Sequence, residues 1–175
     1  DNVAPKHHNQ APVTPNREPE KIILPPFVYE QEREKIAERL PAAIRFVEEH
    51  ALNEVFPGRF DSVGIITCGG SYNTVIRALQ RQGLADVYGD TDVPIYCLNV
   101  AYPLIPNELV QFCAGKEQVL VLEEGPPEYI EQGIQTVLRR QDVQTRVYGK
   151  DIMPMAGEYT GQVMLEGITR FLEAA

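Results

Sequence analysis

Two hydrophobic patterns alternate along this chain. Short continuous runs of apolar residues are each followed by a longer stretch in which apolar residues recur every three or four positions. A continuous apolar run is typical of a strand covered on both faces by helices, and the longer period is typical of an amphipathic helix. Residues 61–175 are therefore predicted to form an α/β domain of alternating strands and helices.

The predicted elements define the fold class. Strands are predicted at residues 63–67, 94–100, 119–122 and 145–148, and helices at 72–82, at a short segment ending at Gly115, from Pro126 or Pro127 onward, and at 159–172. Strands joined by crossover helices run parallel with right-handed connections. The expected architecture is a three-layer, doubly wound, mostly parallel sheet of about four or five strands.

Two segments precede the predicted sheet. Residues 1–27 are rich in proline, which removes amide donors and disfavours helix, so this segment, with its adjacent His7 and His8, is predicted to be an extended arm or linker. Residues 28–60 carry apolar residues at helical spacing and form the predicted helical lead-in, either a hairpin or one helix kinked near Pro41. Residues 53–61 are predicted to be a loop.

Composition narrows the classes of function. The net charge of -9 and the pI of about 4.8 oppose binding to nucleic acid, because phosphates are neutralised by a basic surface. No apolar run approaches the ~20 residues that would span a bilayer. Cys68, Cys97 and Cys113 stand far apart, so neither a zinc site nor an iron–sulfur cluster is indicated. An odd number of thiols without a secretory leader favours a reducing cytoplasm.

Candidate binding residues follow the first predicted strand. Ligands of such sheets bind outside the carboxyl ends of the strands. Gly69 and Gly70 allow close approach of the backbone there, and Ser71 is the predicted N-cap of the helix that begins at Tyr72. These four residues could hold a phosphate or carboxylate, although a tight turn with a capped helix is the favoured interpretation.

Glu123 and Glu124 follow the third predicted strand, where α/β enzymes often place a general acid or base. Adjacent side chains diverge along a strand, so we expect one carboxylate to face solvent or to cap the helix after Pro126 or Pro127. Tyr102 and Pro103 follow the second predicted strand and are predicted to form a contact surface. The three histidines lie before residue 61, which disfavours a Ser-His-acid or Cys-His site in the α/β domain.

Four segments together resemble one family. GIITCGGSYNTVIRAL, AYPLIPNELVQF, EQVLVLEEGPPEYIEQGI and VYGK are similar to the transketolase C-terminal-like domain of 2-oxoacid:ferredoxin oxidoreductases, and most similar to the indolepyruvate type. The resemblance covers residues 60–150, and the helical lead-in more loosely. It implies a fragment of an enzyme that oxidatively decarboxylates 2-oxoacids with coenzyme A and passes electrons to ferredoxin.

The resemblance also implies where the cofactors lie. Thiamine diphosphate and iron–sulfur clusters are held by other domains of this family, and Gly89-Asp90-Thr91 matches only a fragment of a thiamine diphosphate motif. No catalytic residue and no metal ligand is therefore assigned to this chain. The expected role is an assembly domain, with Tyr102, Pro103, Glu123 and Glu124 as candidate interface residues, inside an oligomeric oxidoreductase.

Two alternatives remain open at this stage. The first is a free-standing flavodoxin-like domain that binds a phosphorylated small molecule at Gly69, Gly70, Ser71 and Tyr72. The second, with less support, is a hydrolase that uses Glu123 or Glu124.

Overall fold

The computed structural model describes residues 24–174. The chain divides into two compact units at Pro41. The predicted arm at residues 1–27, with His7 and His8, lies outside the described residues except for its last four positions. In the first unit, helix α1 spans Phe27–Glu34 and a π-type turn spans Lys35–Arg39, and neither contains a buried residue.

Helix α2 spans Leu40–Glu49 and follows the π-type turn with no residue between them. The lead-in was predicted to be either a hairpin or one kinked helix. These residues form consecutive helical elements without a loop, so they are not a hairpin. Pro41 has no amide hydrogen, and its ring crowds the carbonyl four residues earlier. The π-type turn ends at Arg39, two residues before Pro41, and prolines and π-type turns are both sites at which helices kink.

Five strands form one sheet in the order β1-β3-β2-β4-β5. The strands are β1 Glu54–Phe56, β2 Val63–Cys68, β3 Ile95–Leu98, β4 Gln118–Leu122 and β5 Arg146–Tyr148. β2 pairs in parallel with β3 and β4, β4 pairs in parallel with β5, and β1 pairs antiparallel with β3. The doubly wound, mostly parallel sheet is therefore confirmed.

Four helices cover the sheet. They are α3 Tyr72–Arg81, α4 Pro106–Cys113, α5 Tyr129–Arg140 and α6 Gly161–Glu173. Alternate strand residues face opposite layers: Ile65 and Leu120 pack in one buried cluster with α3 and α6, and Ile66 and Val121 pack in the other with α4 and α5. This alternation produces the three predicted layers.

Strand β1 lies in the segment predicted to be a loop. Its register pairs Glu54 with Cys97 and Phe56 with Ile95. Asn53, the residue before β1, is anchored by its own buried side chain. Its Nδ2 donates to Glu108 Oε2 at 2.9 Å, and its Oδ1 accepts the amide hydrogen of Val100 at 2.9 Å. The loop prediction was wrong here because three residues are too few for a hydrophobic period, and the strand depends on these distant partners.

Candidate functional site: the carboxyl edge of the sheet

The carboxyl ends of four parallel strands share one edge of the sheet, which we call the carboxyl edge. Strand order places the segment after β2 between those after β3 and β4, and the segment after β5 beyond β4. Every candidate residue from the sequence follows one of these strand ends. The structure therefore brings the candidates to one edge, where α/β sheets hold their ligands.

Glu123 caps helix α5. Its carboxylate accepts the amide hydrogens of Ile130, at 2.9 and 3.1 Å from the two oxygens, and of Glu131 at 3.1 Å. These amides are donors of the first helical turn that lack partners within the helix, and negative charge is favourable there. The predicted capping role is confirmed. The predicted helix start at Pro126 or Pro127 was wrong, since α5 begins at Tyr129. Pro126 is disfavoured in helical conformation because it precedes a second proline.

Glu124 has a different partner. Its Oε2 accepts the amide hydrogen of Tyr159 at 2.8 Å, and the residue is exposed. The two adjacent carboxylates thus diverge, as expected from the alternation of side chains along a strand. One fixes the helix after β4, and the other fixes the segment before α6.

Lys150 follows β5 and is the last residue of the VYGK segment, to which the sequence assigned no role. Its Nζ donates to the carbonyl oxygen of Glu123, to Tyr159 Oη at 2.6 Å and, more weakly, to the Pro154 carbonyl at 3.5 Å. Tyr159 Oη donates in turn to Pro154 O at 2.9 Å. A lysine just after a strand was the available signal, but its partners lie after β4 and in the loop before α6.

Tyr159 was predicted to begin the last helix and instead precedes it. Helix α6 starts at Gly161 after Thr160, whose Oγ1 accepts the Val163 amide hydrogen at 3.4 Å. Threonine is a favoured N-cap because its side-chain oxygen can accept such a donor. The buried Tyr159 ring is thereby free to turn toward Lys150, whose Nζ lies 4.8 Å from the ring centroid.

Burial governs the electrostatics of this edge. Burial lowers the pKa of Lys150, and Glu123, Glu131, Glu128 and Glu124 oppose that shift. Burial, followed by the charges of Glu124, Glu123 and Glu131, raises the pKa of Tyr159 to about 12. The phenol is therefore protonated at neutral pH and acts as a donor.

Cys68 lies at the end of β2. Its pKa is raised by burial and then by the charge of Glu123. The thiolate is the nucleophilic and metal-binding form of cysteine, so these surroundings disfavour reactivity of this thiol.

The turn after β2 differs from its prediction. Gly69–Ser71 forms a 3-10 turn, and Ser71 occupies the N-cap position of α3 but makes no capping hydrogen bond with its side chain. Its backbone is already helical (φ -91°, ψ -9°), whereas an N-cap serine needs an extended backbone to reach the following amides. The predicted capping bond is therefore wrong.

The two glycines of this turn have unlike surroundings. A Cβ on Gly69 would lie 2.6 Å from Asn99 Oδ1, whereas a Cβ on Gly70 would meet nothing within 4 Å. Asn99 Nδ2 donates to the Leu52 carbonyl at 2.9 Å and to Glu54 Oε2 at 2.8 Å. Gly69 is therefore required for close packing against the residue that holds β1, and Gly70 faces open space.

Tyr72, the fourth residue of the predicted anion site, packs against the sheet. Its ring centroid lies 4.6 Å from that of Phe56, and burial raises its pKa. The amides at the start of α3 remain the groups that could meet an anion. That site stays a prediction.

Large exposed side chains also follow the strand ends of the carboxyl edge. Tyr102 is 73% exposed and Tyr129 is 72% exposed, and Pro103 is half-buried. These residues follow the ends of β3 and β4, so they belong to the same edge. The predicted contact role of Tyr102 and Pro103 stays a prediction.

Residues 24–174 contain neither a metal-binding cluster of side chains nor a membrane-spanning helix. No group of three or more histidine, cysteine, aspartate or glutamate side chains is arranged there to hold a metal ion. No helix in this part of the chain has the length and apolar character needed to cross a membrane.

Three known proteins are similar to this chain to different degrees. The indolepyruvate oxidoreductase subunit IorA of Methanothermobacter marburgensis is 29% identical over 156 residues, which are 87% of this chain and 24% of that protein. A 2-oxoglutarate:ferredoxin oxidoreductase from Magnetococcus marinus, solved with 2-oxoglutarate, coenzyme A and succinyl-CoA, is 20% identical with a TM-score of 0.47, over 90% of this chain and 24% of that one. A split-gene transketolase, an inactive beta4 tetramer, is 15% identical with a TM-score of 0.48, over 69% of this chain and 41% of that one.

The family comparison covers most of the sheet and its helices. Residues 53–168 match the family described as the indolepyruvate oxidoreductase domain, from the residue before β1 into α6. The chain spans about a quarter of the length of the IorA relative, since the matched part is 24% of that protein. This chain belongs to the indolepyruvate oxidoreductase domain family.

Proposed function

We propose that this chain is a non-catalytic assembly domain of an indolepyruvate-type ferredoxin oxidoreductase. In this proposal the whole enzyme depends on thiamine diphosphate, decarboxylates 2-oxoacids oxidatively with coenzyme A, and transfers the electrons to ferredoxin through iron–sulfur clusters. Family membership supports the enzyme class, and the small share of the relative that the chain spans supports a role as one part of a larger protein.

One observation carries the assembly role. The charged side chains at the carboxyl edge hold the fold together: Glu123 caps α5, Glu124 holds the Tyr159 amide, and Lys150 donates to the Glu123 carbonyl and to Tyr159. A general acid or base must reach the proton that it transfers on the substrate. Groups committed in this way support a structural role at this edge better than proton transfer.

The thiamine diphosphate fragment at residues 89–91 does not fit that cofactor. Thr91 is buried, and its hydroxyl donates its one hydrogen within the loop, where the Val93 and Leu84 carbonyl oxygens lie 3.1 and 3.3 Å from Oγ1. The Asp90 amide donates to Asp86 Oδ1 at 3.0 Å. These groups close their own loop, so we place the cofactors on other parts of the enzyme.

The proposed interface combines aromatic rings with acidic groups. Tyr102, Pro103 and Tyr129 follow strand ends on the carboxyl edge. Glu124 is exposed there, and Glu123 holds the helix that carries Tyr129. Tyrosine is enriched in interfaces because it buries a large area and keeps a polar tip. We infer that this edge packs against another part of the same oxidoreductase.

Sedimentation of this chain with the remainder of the oxidoreductase tests the interface. Tyr102→Ser and Tyr129→Ser should each raise the dissociation constant by roughly thirtyfold, because hot-spot aromatic residues contribute on the order of 2 kcal/mol. Val55→Ser, on the exposed valine of β1, is the control and should bind like the wild type. Unchanged binding of both tyrosine variants would contradict the proposed interface.

A second candidate function is anion binding by a flavodoxin-like domain. The observation that favours it is the start of α3, which lacks a side-chain cap and has open space beside Gly70. Calorimetry with nucleotides and phosphosugars tests it, with Gly70→Val and Ser71→Ala as variants. Micromolar binding that both substitutions abolish would favour this function over assembly.

The cysteines support a cytoplasmic location. All three are free, Cys97 and Cys113 are buried, and Cys68 is half-buried. Free buried thiols persist in a reducing compartment.

A further inference from the structure

The connection between α3 and β3 carries an exposed apolar pair. Tyr88 is 91% exposed and Val87 is 83% exposed, more than any other large apolar side chain in residues 24–174. They form the tip of a loop that we call the 86–90 loop. Neither side chain belongs to either buried cluster of the sheet, so the fold of this chain does not account for them.

Hydrogen bonds fix the backbone on both sides of this pair. Asp86 Oδ1 accepts the amide hydrogens of Tyr88 at 2.8 Å and Asp90 at 3.0 Å. The Asp86 amide donates to the Asp90 carbonyl at 2.9 Å. Ala85 and Thr91 form an antiparallel bridge at the base of the loop.

Gly89 completes the turn with a φ of +96°, a conformation that other residues rarely adopt. A loop held in this way loses little conformational freedom when it binds, which favours affinity. Exposed apolar side chains on a fixed backbone are therefore suited to act as an anchor.

Charge indicates the chemistry of the partner. The charged side chains of the 86–90 loop are Asp86 and Asp90, both acidic and exposed, and the chain carries a net charge of -9. Contact between two copies of the loop would place these carboxylates against each other, which is unfavourable. An apolar pocket with lysine or arginine at its rim would complement both the apolar tip and the acidic flanks.

We propose that Val87 and Tyr88 anchor this chain in an apolar, basic-rimmed pocket on another part of the same oxidoreductase. This inference rests on the proposed function. Two side chains cannot supply the ~800 Å² that each partner buries in a standard interface. The 86–90 loop is thus one anchor of a wider contact, separate from the carboxyl-edge residues Tyr102 and Tyr129.

Binding to the purified remainder of the oxidoreductase, measured by sedimentation, tests this anchor. Tyr88→Ser should raise the dissociation constant at least tenfold, and Val87→Ser should raise it about threefold. Tyr88→Phe should leave the dissociation constant within about twofold of wild type because the ring is kept. Asp90→Asn should weaken binding and reduce its dependence on salt. Val55→Ser is the matched control, and all variants should keep the wild-type unfolding temperature because they change exposed side chains.

The outcomes separate the two proposals. Assembly with wild-type affinity in Tyr88→Ser would overturn the anchor and leave the proposed function intact. Self-association of this chain that Tyr88→Ser abolishes would assign the loop to a second copy and would also overturn the proposal. A chain that does not bind the remainder of the oxidoreductase at all would contradict the proposed function and the anchor together.

Discussion

At the scale of single residues, Glu123 illustrates how a carboxylate at a strand end stabilises the fold. Glu123→Ala removes the acceptor for the amides of Ile130 and Glu131, and we expect the free energy of unfolding to fall by about 1 kcal/mol. Urea denaturation at neutral pH measures this. Glu117→Ala, at an exposed position before β4, is the control and should change stability by less than about 0.5 kcal/mol. Equal stability of the two variants would contradict the capping role.

Cys113 makes the free energy of unfolding depend on pH in the alkaline range. Burial raises the pKa of its thiol from 9.0 to about 12, with Lys116 opposing the shift. Between these pH values the unfolded chain has lost this proton and the folded chain keeps it, so the free energy of unfolding falls as pH rises. Cys113→Ala should make that fall less steep in urea titrations between pH 9 and about 12.

The control for this pH effect is Val137→Ala. It removes half-buried methyl groups from the same hydrophobic cluster without removing a titrating group. It should lower the free energy of unfolding by the same amount at every pH, and so leave the pH dependence of the wild type unchanged. An identical pH dependence in wild type and Cys113→Ala would contradict the assigned role of the thiol.

Predictions for single residues were correct where the conformation depends on residues close in the sequence. The divergence of Glu123 and Glu124 follows from strand geometry, and the sequence predicted it together with the cap. The pairing of Lys150 with Tyr159 could not be predicted, because it depends on the path of the loop between them. Ser71 failed as a cap because a 3-10 turn, which no local signal announced, already places it in helical conformation.

At the scale of elements, the sequence predicted the four parallel strands and the helices between them, because each carries its own hydrophobic period. Strand β1 was missed, and the first residues of α5 and α6 were placed too early in the sequence. Their boundaries depend on contacts between segments far apart in the chain. Asn53 illustrates this, since its partners Glu108 and Val100 lie around α4 and β3.

The packing of β1 depends on Gly69 through Asn99. Gly69→Ala would place a methyl group 2.6 Å from Asn99 Oδ1 and displace the amide that binds Leu52 and Glu54. We expect a loss of about 1–3 kcal/mol in the free energy of unfolding and faster hydrogen exchange in β1. Gly70→Ala, where the methyl group meets open space, should stay within about 0.5 kcal/mol of wild type. Equal effects of the two substitutions would rule out this coupling.

At the scale of the whole molecule, the two proposed contact surfaces belong to one acidic α/β domain. The carboxyl edge offers Tyr102 and Tyr129, and the 86–90 loop offers Val87 and Tyr88. Hydrophobic pattern predicted the fold that supports both surfaces. The exposed tip of the loop could not be predicted from the sequence, because exposure of a single valine or tyrosine leaves no periodic signal.

In the proposed function this domain contributes assembly and its neighbours contribute the reacting groups. Ferredoxin reduction with indolepyruvate, coenzyme A and thiamine diphosphate tests this division, first with this chain alone and then after addition of the remainder of the oxidoreductase. We predict no turnover by the chain alone and turnover by the mixture, unchanged in Glu124→Gln once assembly is saturated. Turnover by the chain alone would contradict the account.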